Sequence, residues 1–166
     1  TAIGHNPAQV VHMMHRILLE AETHAPYLLH LGRRRRAQDG AASFDDAVAE
    51  AACGAAADIK ARAIVAFTQS GFTARVISKF RPQTSILAFT PHEQVFRQLA
   101  LFWGVQPFLC EFVEDTHLMM TTADARLREQ RLVDLGDPLV FLAGAPALAR
   151  GTTNLMKLHV SGAAVA

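Results

Sequence analysis

Cysteine is nearly absent: 166 residues hold two, Cys53 and Cys110. Two thiols cannot build a disulfide framework, and such sparse use fits a reducing compartment. Aromatic residues make up only 7% of the chain, with one Trp and one Tyr, while alanine is plentiful. That balance disfavours a β-sandwich and favours helices. Neither sign of charge dominates, with 16 Lys and Arg against 15 Asp and Glu. A global attraction to nucleic acid or to an anionic membrane is thereby excluded. The arginine run at 33–36 has no interleaved aromatics and no wider basic patch, so it reads as a solvated linker or a domain contact. No apolar run approaches the ~20 residues needed to span a bilayer. The opening TAIGHNP has neither the basic nor the apolar region of a signal peptide, and the expected location is cytoplasmic. It also lacks a starting Met, which points to a piece of something longer.

What is present begins with helical patterning. Asn6-Pro7 is a helix start, and apolar residues recur at Val10, Val11, Met14, Ile17, Leu18 and Ala21. A second helix is expected past Pro26 to Leu31, then a polar linker. Ser43 is the expected cap of FDDAVAEAACGAAADI, with Asp45 and Asp46 in its first turn, where the helix dipole favours negative charge. From Ala63 the rhythm changes to short, unalternating apolar runs, as in strands covered on both faces. AIVAF, SILAF, VQPFL, PLVFLAG and NLMKLHV predict five strands. Helices are expected over 72–80, from Thr90-Pro91 to about Phe102, and over 122–133. Strands alternating with helices predict an α/β fold. In it a three-layer, mostly parallel five-stranded sheet is flanked by helices. The last two strands have only the loop APALARGTT between them, too short for a parallel crossover, so the last strand is expected to be antiparallel.

One stretch carries chemistry. In AFTQSGFTA a buried strand stops and Thr68, Gln69, Ser70, Gly71 and Thr73 follow at once. In open α/β sheets ligands bind beyond the carboxyl ends of the strands. The free N–H groups of a helix N-terminus point at the same place. Three hydroxyls and a glycine that permits close backbone approach would make a phosphate cradle there without a lysine. The alternative is an ordinary strand-to-helix turn capped by Ser and Thr. It is neither a Walker A loop nor a GxGxxG fingerprint.

These residues resemble a family. AIVAFTQSGFTARVISKFRPQTSILAFTP is similar to the C-terminal domain of pyruvate kinases: a strand, then T-x-S-G-x-T/S, an I-S-K-Y/F-R-P helix end and an I-x-A-x-T strand. RQLALFWGVQPFL, GDPLVFLAGAP and GTTNLMKLHV resemble later family motifs in the same order. TAIGHNPAQVVHMM resembles the segment that follows the last strand of the catalytic barrel. The resemblance implies two parts: residues 1–24 as the barrel's final helix and 25–166 as the regulatory domain. It implies a parent enzyme that moves a phosphoryl group from phosphoenolpyruvate to ADP with Mg²⁺ and K⁺. The catalytic lysine, metal carboxylates and substrate arginine lie in the barrel, so this chain is expected to hold no catalytic or metal residue and no cofactor, and to be inactive alone.

By the same resemblance, Thr68, Gln69, Ser70, Gly71, the backbone of Phe72, and Thr73 hold the phosphate of an allosteric effector, a sugar phosphate or nucleotide. The effector loop corresponds to 145–153, including Ala145, Pro146, Arg150, Gly151, Thr152 and Thr153. Leu148 stands where a glycine is common, which would stiffen or occlude the loop, while Arg150 offers a bidentate phosphate contact. Expected partners are the effector, the barrel and further copies of the chain, with no nucleic acid and no membrane. Two alternatives are a purely structural association module and a free-standing phosphometabolite-binding protein. The remaining candidates have plainer readings. His12 and His15 lie one turn apart without further zinc ligands. Cys53 is expected in the core, and Cys110 has no activating base. Asp45 with Asp46, and Glu114 with Asp115, fit helix-start and turn chemistry. Trp103 is expected to serve packing or a subunit contact.

Overall fold

The computed structural model describes residues 4–23, 43–144 and 153–163. The chain divides into two compact units, Thr1–Gly40 and Ala41–Ala166. The first unit contains α1, Pro7–Thr23. Asn6 opens it as expected, its carbonyl accepting from the Val10 N–H at 3.2 Å. Val11, Met13, Met14, Ile17, Leu18 and Leu19 are all at least half exposed. The helix expected between 26 and 31 and the arginine run fall outside the described residues.

The second unit runs α2 (Phe44–Asp58), β1 (Ala63–Phe67), α3 (Phe72–Lys79), β2 (Ser85–Thr90), α4 (Glu93–Leu99), β3 (Val105–Leu109), α5 (Thr116–Glu129), β4 (Pro138–Ala143) and β5 (Leu155–Val160). The five strands form one sheet in the order β3-β2-β1-β4-β5. Four are parallel, and β5 runs antiparallel against β4 with Pro138 opposite Val160. This is the mostly parallel sheet with an antiparallel last strand that the sequence predicts. No described helix is long and apolar enough to cross a membrane.

Alternation along each strand sorts side chains onto two faces. Val65, Phe67, Leu87, Phe89, Phe108, Leu139 and Phe141 meet Met119, Met120, Ala123 and Leu127 of α5. Ile64, Ala66, Ile86, Ala88, Val140 and Leu142 meet α2, α3 and α4 through Ala49, Ala52, Ala56, Ala74, Ile77 and Leu99. The chain leaves β1 by way of α3 on one face, and reaches β4 from β3 by way of α5 on the other. β1 and β4 are neighbours, so the sheet's topological switch point lies between their carboxyl ends, where ligands bind in this architecture.

Helix starts follow local chemistry. Ser43 caps α2 as expected: its Oγ accepts from the Asp46 N–H at 3.1 Å and donates to the Asp46 carboxylate at 2.8 Å. Helix α5 begins at Thr116, ahead of the expected Thr122. The Asp115 carboxylate accepts from the N–H groups of His117 and Leu118 at 2.8 and 3.2 Å, so Asp115, expected in helix-start or turn chemistry, caps the helix. Thr90 opens no helix. It is the buried last residue of β2, paired with Leu109, and α4 starts at Glu93.

Candidate functional site

The stretch after β1 sits at the switch point. Thr68 is buried, and its N–H donates to the Phe89 carbonyl at 2.9 Å, extending the ladder one residue past the strand. Gln69 is half-buried and Ser70 exposed. Gly71 is the N-cap of α3, with φ +81° and ψ −4°. That left-handed backbone is where a glycine is required. No side chain caps α3, so the reading of this turn as one capped by Ser and Thr does not hold. The first N–H groups of α3, from half-buried Phe72 and buried Thr73 onward, lack intrahelical acceptors by helix geometry.

The Thr73 hydroxyl has a different task. It is hydrogen-bonded at 2.8 Å to the hydroxyl of Thr153, a buried pair 80 residues apart in sequence. The Thr153 N–H donates to the Asp45 carboxylate at 2.5 Å. The head of β5 is thus tied to the first turns of both α3 and α2. Thr73 and Thr153, predicted in separate segments, are brought together. Ala145, Pro146, Arg150, Gly151 and Thr152 lie outside the described residues.

Beside this turn, on the α5 face, is a cavity of about 420 Å³. Phe67 and Phe89, at the ends of β1 and β2, form its inner wall. Val113, Leu118 and Met119, from the segment entering α5 and its first turn, form the outer wall. Arg126 also lines it, but its guanidinium donates to the Leu109 carbonyl and lies 5.9 Å from the centre of the Phe108 ring. Sequence reasoning missed this cavity. Its walls come from four separate segments, and the only local signal is a phenylalanine at or near the end of each of two neighbouring strands.

A second constellation also escaped the sequence. At the opposite end of the sheet, Asp124 of α5 is buried and accepts from Ser161 Oγ at 2.6 Å and the Gly162 N–H at 2.8 Å. His159 Nε2 and Arg128 Nε each stand 3.6 Å from its carboxylate. Burial pushes the Asp124 pKa up, but the Ser161 and Gly162 hydrogen bonds, the Arg128 guanidinium and the His159 ring nitrogen outweigh it and hold the group below its ordinary value.

Neither cysteine is a nucleophile. Burial raises the Cys53 pKa to about 12. Burial raises Cys110 to about 11 against the pull of Arg126, so both thiols stay protonated at neutral pH. Cys53 is half-buried and packs against the alanine-rich core. Trp103 lies under the Arg81 guanidinium, 5.5 Å from ring centre to charge, and its carbonyl accepts from Ser78 Oγ at 2.7 Å. His12 and His15 are exposed on α1, and no group of three potential ligands for a metal occurs among the described residues.

The architecture defines an α/β domain with a polar turn at the sheet's switch point. The family model described as pyruvate kinase, alpha/beta domain, matches residues 46–159, and the chain belongs to that family. The chain is 38% identical over 162 residues to a pyruvate kinase of Staphylococcus saprophyticus, covering 98% of this chain and 27% of that protein. It is 38% identical over 160 residues to one from Clostridium acetobutylicum, covering 96% and 33%. Among solved structures, a pyruvate kinase from Cryptosporidium parvum superposes with a TM-score of 0.71 at 29% identity, over 82% of this chain and 26% of that one. The chain therefore spans between about a quarter and a third of the curated relatives it matches.

Proposed function

We propose that this chain is the effector-binding and subunit-association domain of a pyruvate kinase. A phosphate ester binds the turn Thr68, Gln69, Ser70, Gly71, Phe72 and Thr73. The backbone N–H groups at the start of α3 and the Ser70 hydroxyl donate to it, and the Gly71 backbone gives it close approach. The loop that includes Ala145, Pro146, Arg150, Gly151 and Thr152 closes over the ligand, with Arg150 as its cationic contact. The observation that carries this reading is the Thr73–Thr153 hydrogen bond, which joins the phosphate turn to the stem of that loop. The parent enzyme's Mg²⁺, K⁺ and catalytic groups belong to a barrel domain that these residues do not supply, so the chain alone turns over no phosphoenolpyruvate. The effector acts by binding one global state of the assembly better than another.

Calorimetric titration with ribose 5-phosphate, glucose 6-phosphate and fructose 1,6-bisphosphate, beside the variant Ser70→Asp, tests the phosphate turn. Binding is expected for at least one ester and is lost in the variant, where a carboxylate repels the phosphate. Binding unchanged by Ser70→Asp rules the turn out.

Association is favoured by a separate observation. β5 is an edge strand, and Met156, Leu158 and Val160 on one of its faces are 40–50% exposed. An apolar edge of this kind is a template for strand pairing with another copy. Sedimentation of the wild-type chain beside Leu158→Lys checks this, with a shift to monomer expected in the variant.

A further inference from the structure

The amide of Thr153 lies just beyond the last rung that β5 shares with β4. Ala143 pairs with Leu155, and the Asn154 N–H still reaches the Ala143 carbonyl at 3.3 Å. Thr153 is buried, and a buried N–H outside the ladder needs an acceptor from elsewhere. The Asp45 carboxylate of α2 supplies it at 2.5 Å. Its neighbour Asp46 is engaged locally, accepting from the Ser43 hydroxyl at 2.8 Å. The sequence presents the two carboxylates as an equivalent pair in one helical turn, yet their tasks differ. Asp46 serves its own helix start, and Asp45 serves a residue 108 positions away.

What Asp45 holds in place is the hydroxyl pair of Thr153 and Thr73. Two hydroxyls carry two hydrogens, and the bond between them uses one. Among the described residues neither hydroxyl has a further acceptor, so one buried O–H is left over. Thr73 stands in the first turn of α3, beside N–H groups that the helix leaves free. A buried donor without an acceptor is costly, and an anionic oxygen at the turn would satisfy it. We infer that Asp45 is a positioning residue for the phosphate turn: through the Thr153 N–H it fixes the Thr153–Thr73 hydroxyl pair, and with it the donor that the first turn of α3 offers a phosphate ester. The inference rests on the phosphate turn proposed above and adds a residue from outside it. The sign of the effect separates positioning from charge. A carboxylate repels a nearby anion, so a role through space would make the ester bind more tightly once the charge is gone. A positioning role predicts the reverse for loss of the acceptor.

Calorimetric titration of the full chain with ribose 5-phosphate, glucose 6-phosphate and fructose 1,6-bisphosphate, beside Asp45→Ala, Asp45→Asn and Asp46→Ala, tests it. Asp45→Ala is expected to weaken whichever ester binds the wild type by about tenfold, the effect of one oriented hydrogen bond. Asp45→Asn keeps an oxygen that accepts from the Thr153 N–H and is expected to stay within about twofold of wild type. Asp46→Ala disturbs the same helix turn without touching Thr153 and is expected to leave the affinity unchanged. Amide hydrogen exchange gives a readout without ligand: the Thr153 N–H is expected to be protected in wild type, Asp45→Asn and Asp46→Ala, and to exchange freely in Asp45→Ala. Wild-type affinity in Asp45→Ala, tighter binding in either Asp45 variant, or an equal loss in Asp46→Ala overturns the positioning role and leaves the phosphate turn standing. An unprotected Thr153 amide in the wild type overturns it as well. Should Asp45→Ala fail to fold, Asp45→Asn decides by sign, an unchanged affinity upholding the role and a tighter one overturning it. Failure of the wild type to bind any of the three esters, with its Thr153 amide protected, overturns the phosphate turn and this inference with it.

Discussion

On the face covered by α2, α3 and α4, sheet and helices meet through alanine. Ala49, Ala52, Ala56, Ala66, Ala74 and Ala88 are each no more than 1% exposed. On the other face Phe67, Phe89, Phe108 and Phe141 line up along the sheet, with neighbouring ring centres 5.0–6.0 Å apart, and among the described helices α5 covers them. Small side chains let three helices come close and interlock. Large rings hold one helix off and leave room at its N-terminal end, which is where the cavity lies. Polar anchors accompany the helix on that side: Asp124 binds the end of β5, and Arg126 binds the carbonyl of Leu109. Among the described residues, the two buried nitrogens without a hydrogen-bond partner, on Arg128 and His159, also lie on this face. The close-packed face stabilises by shape, whereas the looser one adds charge and keeps a space.

The comparison breaks most visibly at Phe141, which is fully buried and stacked against Phe67. Phe141→Ala is expected to cost about 3–5 kcal/mol in urea unfolding. Next comes Asp124→Ala, which strands His159, Ser161 and the Gly162 N–H, at a cost of about 3 kcal/mol. The same carboxylate gives the wild-type protein an acid limb. Its folded pKa lies below the ordinary 3.8, so its contribution is complete above that value and is lost as pH falls through the folded pKa. Chemical unfolding at pH 7 and near pH 3 should show wild type losing stability that Asp124→Ala has already lost. A matched pair sharpens the contrast further. Ala52→Leu on the alanine face is expected to cost about 1–3 kcal/mol by overpacking. Ala123→Leu, facing the cavity, should cost distinctly less. Equal costs in thermal unfolding would mean that the two faces are packed alike. The smallest effect is at the edge of the alanine face, where Ser43→Ala removes the cap of α2 for about 1 kcal/mol, read by urea midpoint.

Much of this was legible in the chain. Five apolar runs gave five strands because each is short and bounded by turn residues; β1, β2 and β4 are covered on both faces as expected, whereas the edge strands β3 and β5 each leave residues exposed. The antiparallel last strand followed from the short loop before it. The polar turn could be placed at a strand's carboxyl end because AIVAF stops abruptly at Thr68. Helix α5 starts ahead of the expected Thr122 because THLMMTT has no clean helical stripe, and the cap at Asp115 marks its start. Thr90-Pro91 misled because a Thr before a Pro fits both a cap and a strand end, and pairing with Leu109 decided the matter. The Asp124 cluster and the cavity were not legible, since both assemble from residues far apart in sequence and depend on which face each helix covers.

The Thr153 anchor has a consequence for how the domain comes into being. Its two partners, Thr73 and Asp45, precede it by 80 and 108 residues. Contacts of such long sequence separation form late, because a long loop must close before they give any return. On a chain emerging from the ribosome, β1, α3, β2 and β3 can assemble while β4 still exposes its outer edge. The strand that covers that edge, β5, is made after the other four. Completion of the sheet and fastening of the 68–73 turn are then the same event, so a nascent chain has the turn proposed to hold the effector tied down only when β5 docks.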